Sequence, residues 1–245
     1  MLFLDQLAFC LCFVLLKNRA AVTFALESAN VVGYQEFNLN EGYGMTTATF
    51  TPISGDSINL QDLIPAGEGV GGYGDVVIQT MDSTGSWAGE YAWYTMAATG
   101  MEDGWYDTEM SLANATINYK QGLFVQAGAG VKFVYSGAVA KGTVEAEVPN
   151  GYSMSGNATP VALSIQNIVP AGEGVGGYGD VVIQTMDSAG SWNGEYAWYT
   201  MAATGMDDGW YDTEMNLATK TIEAGEGIFL QASADGVKLQ YPGAL

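Results

Sequence analysis

The chain is 245 residues long and 48% hydrophobic, enough for two domains of about 100–150 residues with cores of their own. Its 27 acidic and 7 basic residues leave a net charge of −20, so a nucleic-acid backbone or an anionic membrane surface would repel it. Histidine is absent, which excludes an imidazole general base, Ser-His and Cys-His nucleophile pairs, and an ordinary zinc site.

The first element is the apolar run Leu7 to Leu16, ten residues long. A bilayer-spanning helix needs roughly 20 apolar residues, so the run suits the hydrophobic region of a secretory signal better. Thr23-Phe24-Ala25 places small residues at −3 and −1 of a cleavage point after Ala25, so residues 1–25 read as a signal-like segment. The usual basic front is missing: Asp5 precedes the run, while Lys17 and Arg19 follow it. An uncleaved anchor is the alternative. Both cysteines, Cys10 and Cys12, lie inside the run, so the chain beyond it has neither disulfides nor thiol chemistry. The address expected is secreted or cell surface.

Beyond residue 25 the signals are strand and turn. Strands are expected at 31–38, 46–51 and 57–63, then at 75–81 and 90–96 as an antiparallel hairpin about Asp82-Ser-Thr-Gly85. Further strands are expected at 115–119, 123–127 and 132–135. No segment holds a sustained 3.6-residue apolar period.

A duplication dominates the organisation. Pro65 to Met110 recurs as Pro170 to Met215, with 43 of 46 positions identical; the changes are Thr84/Ala189, Ala88/Asn193 and Glu102/Asp207. Thinner similarity joins Gly33–Met45 to Gly142–Met154, and Gly122-Leu-Phe-Val-Gln-Ala to Gly227-Ile-Phe-Leu-Gln-Ala. Two repeats follow, 26–136 and 137–245. Eight or so short strands per repeat indicate an all-β chain of two tandem β-sandwich, jelly-roll-like domains, arranged as beads on a string.

The opening Leu26-Glu-Ser-Ala-Asn-Val-Val-Gly-Tyr34 resembles the ESANIVGY-type modules of secreted bacterial surface proteins. Their Gly-x-x-Met element, Trp-Tyr hairpin and terminal strand pair have counterparts here in Gly42–Met45, Trp93-Tyr94 and Gly122–Val125. The resemblance implies an exported, non-enzymatic β-sandwich module.

Gly67-Glu-Gly-Val-Gly-Gly72 and its copy at 172–177 satisfy the spacing G-x-G-x-x-G. The dinucleotide fingerprint needs a strand before it and a helix after it; here Pro65 precedes, a strand follows, and Glu68 would repel phosphate. It reads as a turn. Glu102, Asp103, Asp107 and Glu109, with Asp207, Asp208, Asp212 and Glu214 in the copy, crowd carboxylates as a calcium loop or a glycoside hydrolase would. Their spacing fits neither signature, so solvated loop acids are expected and no catalytic, cofactor or metal residue is assigned. All six tryptophans fall in the duplicated block. Trp93 and Trp198, mid-strand, are expected in the core. Trp87, Trp105 and Tyr106, with Trp192, Trp210 and Tyr211, lie at loop-like positions and are the candidate glycan contacts, because exposed rings stack on the CH faces of sugars. Asn114-Ala-Thr116 and Asn157-Ala-Thr159 are formal glycosylation sequons without further support.

The expected function is thus a non-enzymatic structural or interaction protein, with self-association or a cell-surface matrix as partner. The alternative is a glycan-binding module whose two copies raise avidity. A carboxylate-based hydrolase comes last.

Overall fold

The computed structural model describes residues 32–244 apart from Ser54 and Ser83, and these are all-β. The signal-like segment, its cleavage point and both cysteines lie outside the described residues. The first repeat contributes β1 (Val32–Asn38), β2 (Gly42–Thr47), β3 (Ser57–Asn59), β4 (Ala66–Gly67) and β5 (Tyr73–Met81). Then come β6 (Trp87–Tyr94), β7 (Gly104–Tyr106), β8 (Thr116–Asn118), β9 (Gly122–Ala127) and β10 (Val131–Ala138). They pair as a three-stranded sheet β1-β10-β4, a five-stranded sheet β2-β9-β5-β6-β7 and the small pair β3-β8.

Local chemistry explains most boundaries. The turn between β5 and β6 is closed by Asp82, whose Oδ1 accepts from the Thr84 and Ser86 amides at 2.8 and 3.1 Å. Gly85 takes the left-handed conformation, φ 79°, that such a hairpin turn requires. The strand expected at 57–63 stops at Asn59, because the Asn59 side chain accepts from the Gln61 amide and starts a 3-10 turn over Leu60–Asp62. The strand expected at 46–51 begins and ends earlier, at 42–47, and only Thr51 bridges onward to Ala138.

The second repeat supplies β11 (Val144–Val148), β12 (Gly151–Gly156), β13 (Leu163–Ser164), β14 (Val169–Ala171) and β15 (Tyr178–Met186). It ends with β16 (Trp192–Tyr199), β17 (Gly209–Asp212), β18 (Thr221–Ile222), β19 (Gly227–Ala232) and β20 (Val237–Tyr241). The same sheets recur as β11-β20-β14, β12-β19-β15-β16-β17 and β13-β18. Alternation sets the faces: Leu123, Val125 and Ala127 of β9 are buried while Phe124 and Gln126 turn away. Inside the first repeat, Trp105 on the five-stranded sheet meets Phe133 on the three-stranded sheet at 6.3 Å between centroids.

The beads-on-a-string arrangement is corrected by the packing. Residues 31–245 form one compact unit, and one cluster of buried apolar side chains runs through both repeats. The larger sheets form a four-bladed, propeller-like arrangement and are not clearly two tandem sandwiches. The repeats meet at a seam whose contacts occur in mirrored pairs. Thr46 Oγ1 donates to the Gly225 carbonyl at 2.9 Å, and Ser155 Oγ to the Lys120 carbonyl at 3.0 Å. Thr46 also meets the Tyr135 hydroxyl, and Ser155 the Tyr241 hydroxyl, each at 3.2 Å. Gly227 lies so close to β2 that a Cβ there would stand 2.6 Å from that of Met45; Gly122 mirrors it, 2.9 Å from the Met154 Cβ. Such reciprocity is what a twofold relation between two like halves produces.

Candidate functional site

Directly paired residues of an antiparallel sheet share a face. On the five-stranded sheet of the first repeat, the pairs Tyr43/Gln126, Met45/Phe124, Gln79/Phe124 and Gln79/Glu90 therefore place these side chains together, away from Leu123 and Val125. Three rings gather there. Tyr43 stacks on Phe124 at 5.7 Å with planes 28° apart, and Trp87 meets Phe124 edge-on at 6.1 Å. The second repeat repeats the cluster, with Tyr152 stacked on Phe229 at 5.6 Å and Trp192 edge-on at 5.7 Å. Half or more of each outer ring is exposed: Tyr43 50%, Trp87 58%, Tyr152 50% and Trp192 54%. Beside the rings, Gln79 Nε2 donates to Glu90 at 2.6 Å and Gln184 Nε2 to Glu195 at 2.8 Å.

The clusters are linked through the seam. A Cβ at Gly190, in the turn that leads into Trp192, would lie 2.6 Å from the Tyr43 carbonyl. Gly85, in the turn that leads into Trp87, likewise abuts the Tyr152 carbonyl. The rings thus follow a circuit: Trp87, Phe124, Tyr43, across to the Gly190 turn, then Trp192, Phe229, Tyr152, and back across to the Gly85 turn.

Of the six candidate glycan contacts, only Trp87 and Trp192 stand in this surface. Trp105 and Trp210 are fully buried, their indole N–H groups donating to the Leu63 and Ile168 carbonyls at 2.7 and 2.6 Å. Tyr106 and Tyr211 are buried too, each hydroxyl donating to a backbone carbonyl, Glu102 or Asp207, at 2.8 Å. The short strands β7 and β17 pull these four rings inward, against the exposure expected of loop-like positions. Trp93 and Trp198 lie in the core as expected, edge-on to Trp105 and Trp210. Tyr43, Phe124, Tyr152 and Phe229 escaped the sequence reading. The signal for them was the Gly-Tyr-x-Met and Gly-x-Phe repetition, read for its place in the repeat and not for the face it presents.

The other motifs are occupied from within. The amides of Gly71 and Gly72, which a phosphate would need, donate to Asp75 Oδ2, and those of Gly176 and Gly177 to Asp180 Oδ2. Asp103 Oδ1 accepts from the Met96 and Ala97 amides, and Asp107 Oδ1 from those of Glu109 and Ser111. Among the described residues no three acidic side chains converge as metal ligands. The Asp82 carboxyl is held below the ordinary carboxylate range by the Thr84 hydroxyl and the Ser86 and Thr84 amides. Asp212 is lowered similarly, chiefly by the Asn216 amide. The sequon at Asn157 is closed to modification in the folded chain: its buried Nδ2 donates to the Val161 and Ile222 carbonyls at 2.7 and 3.1 Å.

Two clefts flank the seam. One of about 700 Å³ borders Asn118, Lys120, Glu145 and Glu147; the other, about 500 Å³, borders Asn40, Asp187, Lys220 and Glu226. Lys220 is already paired with Glu226 at 3.0 Å. The fold and its surface define an all-β protein with two equivalent exposed aromatic clusters. No protein-family model, curated protein or solved structure matches the chain.

Proposed function

We propose that this protein is an exported, non-enzymatic interaction module, secreted or held at the cell surface, that binds polysaccharide through its exposed rings. The observation that carries the reading is the pair of Tyr–Phe–Trp clusters, Tyr43/Phe124/Trp87 and Tyr152/Phe229/Trp192, half-exposed at equivalent places in both repeats. Exposing two tryptophans and two tyrosines to water has no folding benefit, and contiguous apolar surface of this kind marks binding sites. Aromatic planes beside amide and carboxylate groups suit sugars, which offer CH faces to the rings and hydroxyls to the polar flanks. Each repeat is read as a sandwich-like unit, a reading supported in the first repeat by Phe133 of the three-stranded sheet lying against Trp105 of the five-stranded one.

Affinity electrophoresis through gels impregnated with neutral polysaccharides tests the binding. Retardation of the wild-type chain is expected, with loss of at least tenfold in affinity for the double variant Trp87→Ala with Trp192→Ala. Unretarded migration in every gel, together with a dimer in sedimentation velocity that the double variant dissolves, would instead favour self-association through the same rings. Export is tested by N-terminal sequencing of the native protein, which should begin at Leu26.

A further inference from the structure

We infer that the larger of the two seam clefts is a peptide groove, in which an extended segment with lysine or arginine at alternate positions pairs with the open edge of β11. The inference is independent of the aromatic clusters and goes beyond the glycan reading.

The edge is visible in what borders the cleft. Strand β11 ends the sheet β11-β20-β14, so one of its sides has no neighbouring strand. The cleft, about 700 Å³, is bordered by the unbroken run Glu145, Ala146, Glu147, Val148 and Pro149. Successive strand residues point to opposite faces, and here Ala146 and Val148 are buried while Glu145 and Glu147 are exposed. A cleft that touches both sets runs along the backbone edge. Among the described residues, the backbone of β11 has no main-chain partner beyond β20. Clefts of about 300–1,000 Å³ are the size that holds ligands.

A buried polar atom then asks for an occupant. Ser153 borders the same cleft and is only 7% exposed, yet its Oγ has no hydrogen-bond partner among the described residues. A buried hydroxyl is costly to leave unpaired, and the backbone of a bound segment would supply the missing bond. The smaller cleft lacks these features. Where the larger one has Ala146, Pro149 and Ser153, the first repeat has Phe37, Asn40 and Gly44. Phe37 fills space that Ala146 leaves, and Asn40 Nδ2 ties the two repeats together by donating to the Asp187 carbonyl at 3.2 Å. Proline has no such donor, so the larger cleft stays open.

Charge chooses the occupant's sequence. The border carries Asp82, Glu145, Glu147 and Asp235 against Lys120 alone. Glu145 and Glu147 share one cation, Lys238, at 3.5 and 3.0 Å, and among the described residues Asp82 and Asp235 are ion-paired to none. The β11 of a second copy would bring the same glutamates to the edge, and like charges on adjoining strands repel. A basic segment meets opposite charge instead. Its cationic side chains, at every second residue, stand beside Glu145 and Glu147. The residues between them turn toward Ala146, Val148 and Ser153, where small or hydroxyl-bearing side chains fit.

Fluorescence anisotropy with the labelled peptide Lys-Thr-Lys-Thr-Lys-Thr tests this on the full chain, with Glu-Thr-Glu-Thr-Glu-Thr as the charge-reversed probe. One lysine peptide should bind per protein, at least tenfold more tightly than the glutamate peptide and more weakly as salt rises. Ser153→Ala should lower the affinity severalfold without lowering the thermal midpoint, because it deletes a hydroxyl that the fold leaves unpaired. Glu147→Gln, at a side chain 75% exposed, should weaken binding likewise. Two N-methylated peptides separate strand pairing from charge attraction. Methylating only the lysine amides and methylating only the threonine amides should give affinities at least tenfold apart, because one alternate set faces β11. On binding, amide hydrogen exchange should slow in residues 144–149 and not in 36–41. Equal affinity of the two methylated forms would overturn the strand pairing, and equal binding of the glutamate peptide would overturn the basic occupant. Protection of 36–41, or two peptides per protein, would overturn the choice of cleft. Protection of 144–149 that grows with protein concentration alone would give the edge to a second copy. Absence of binding by the lysine peptide would overturn the groove itself.

Discussion

Gln61 shows how a single side chain secures an edge. Its Nε2 donates to the Trp105 and Ala113 carbonyls at 2.9 and 2.8 Å, while its Oε1 accepts from the Trp105 amide at 3.0 Å. The side chain completes the outer edge of β7 beside the Leu112–Ala113 segment, which bridges Tyr106 and donates the Ala113 amide to the Trp105 carbonyl, and Gln166 does the same for Trp210 and Ala218. Gln61→Ala takes its partner from the Trp105 N–H and from the Ala113 carbonyl, while the Trp105 carbonyl keeps the Ala113 amide at 2.8 Å, so a loss of about 2–4 kcal/mol is expected in urea unfolding. A second residue-scale prediction concerns alkali. Burial pushes the Tyr135 and Tyr241 phenols well above their ordinary value of 10.0. A raised pKa gives stability that is complete below the unfolded value and lost as pH climbs toward the folded one. The thermal midpoint should therefore fall from about pH 10 upward, and less steeply in Tyr135→Phe with Tyr241→Phe. Sequence could not single out these two of fourteen tyrosines, because their hydroxyls find partners only in Thr46 and Ser155, residues 89 and 86 positions away. It could place Trp93, because strand alternation is a local property.

The hairpins between β5 and β6 and between β15 and β16 were legible, since a β-branched run, an Asp-Ser turn with glycine and an aromatic run lie consecutively in the chain. Strand β7 was not. Three residues cannot display an alternation, and the acids on either side of it resemble a loop. Only its pairing with β6, where Trp93 faces Trp105, reveals it. The exposed ring clusters were equally hidden, because they assemble from β2, β9 and the start of β6, which no local pattern connects. A prediction follows from the turn at Gly190. Its φ of 74° and its closeness to Tyr43 both oppose a side chain, whereas Gly205, φ 81°, has nothing within 4 Å of a Cβ. Gly205→Ala should cost about 1 kcal/mol from backbone strain alone. Gly190→Ala should cost measurably more in the same denaturant titration and should weaken glycan binding as well, because it displaces Tyr43.

For the molecule as a whole, the common core and mirrored seam predict that both repeats unfold together. Calorimetry should show one transition whose calorimetric and van't Hoff enthalpies agree. Two resolved transitions would mean that the seam contributes little. Acidity predicts a dependence on ions. Because Asp103 and Asp107 already accept backbone amides, calcium at 1 mM should raise the melting temperature no more than magnesium, or than sodium chloride of equal ionic strength. A calcium-specific rise, removed by Asp107→Asn with Asp212→Asn, would reveal a site at these turns. The duplication itself was fully legible, since 43 of 46 identities need no structure to see. That its halves would embrace was not, because the seam uses small residues, Gly122 and Gly227, whose value lies in what they leave out.

The seam also carries a genetic consequence. Two near-identical stretches of gene 105 codons apart invite unequal crossing-over, and an exchange within them would delete one repeat's worth of chain. The product would join the beginning of the first repeat, with Met45 and Thr46, to the end of the second, with Gly225 and Gly227. Those are the partners that meet across one half of the present seam. Two such shortened chains would carry this half twice over, the self-complementary pair of surfaces on which a symmetric dimer is built.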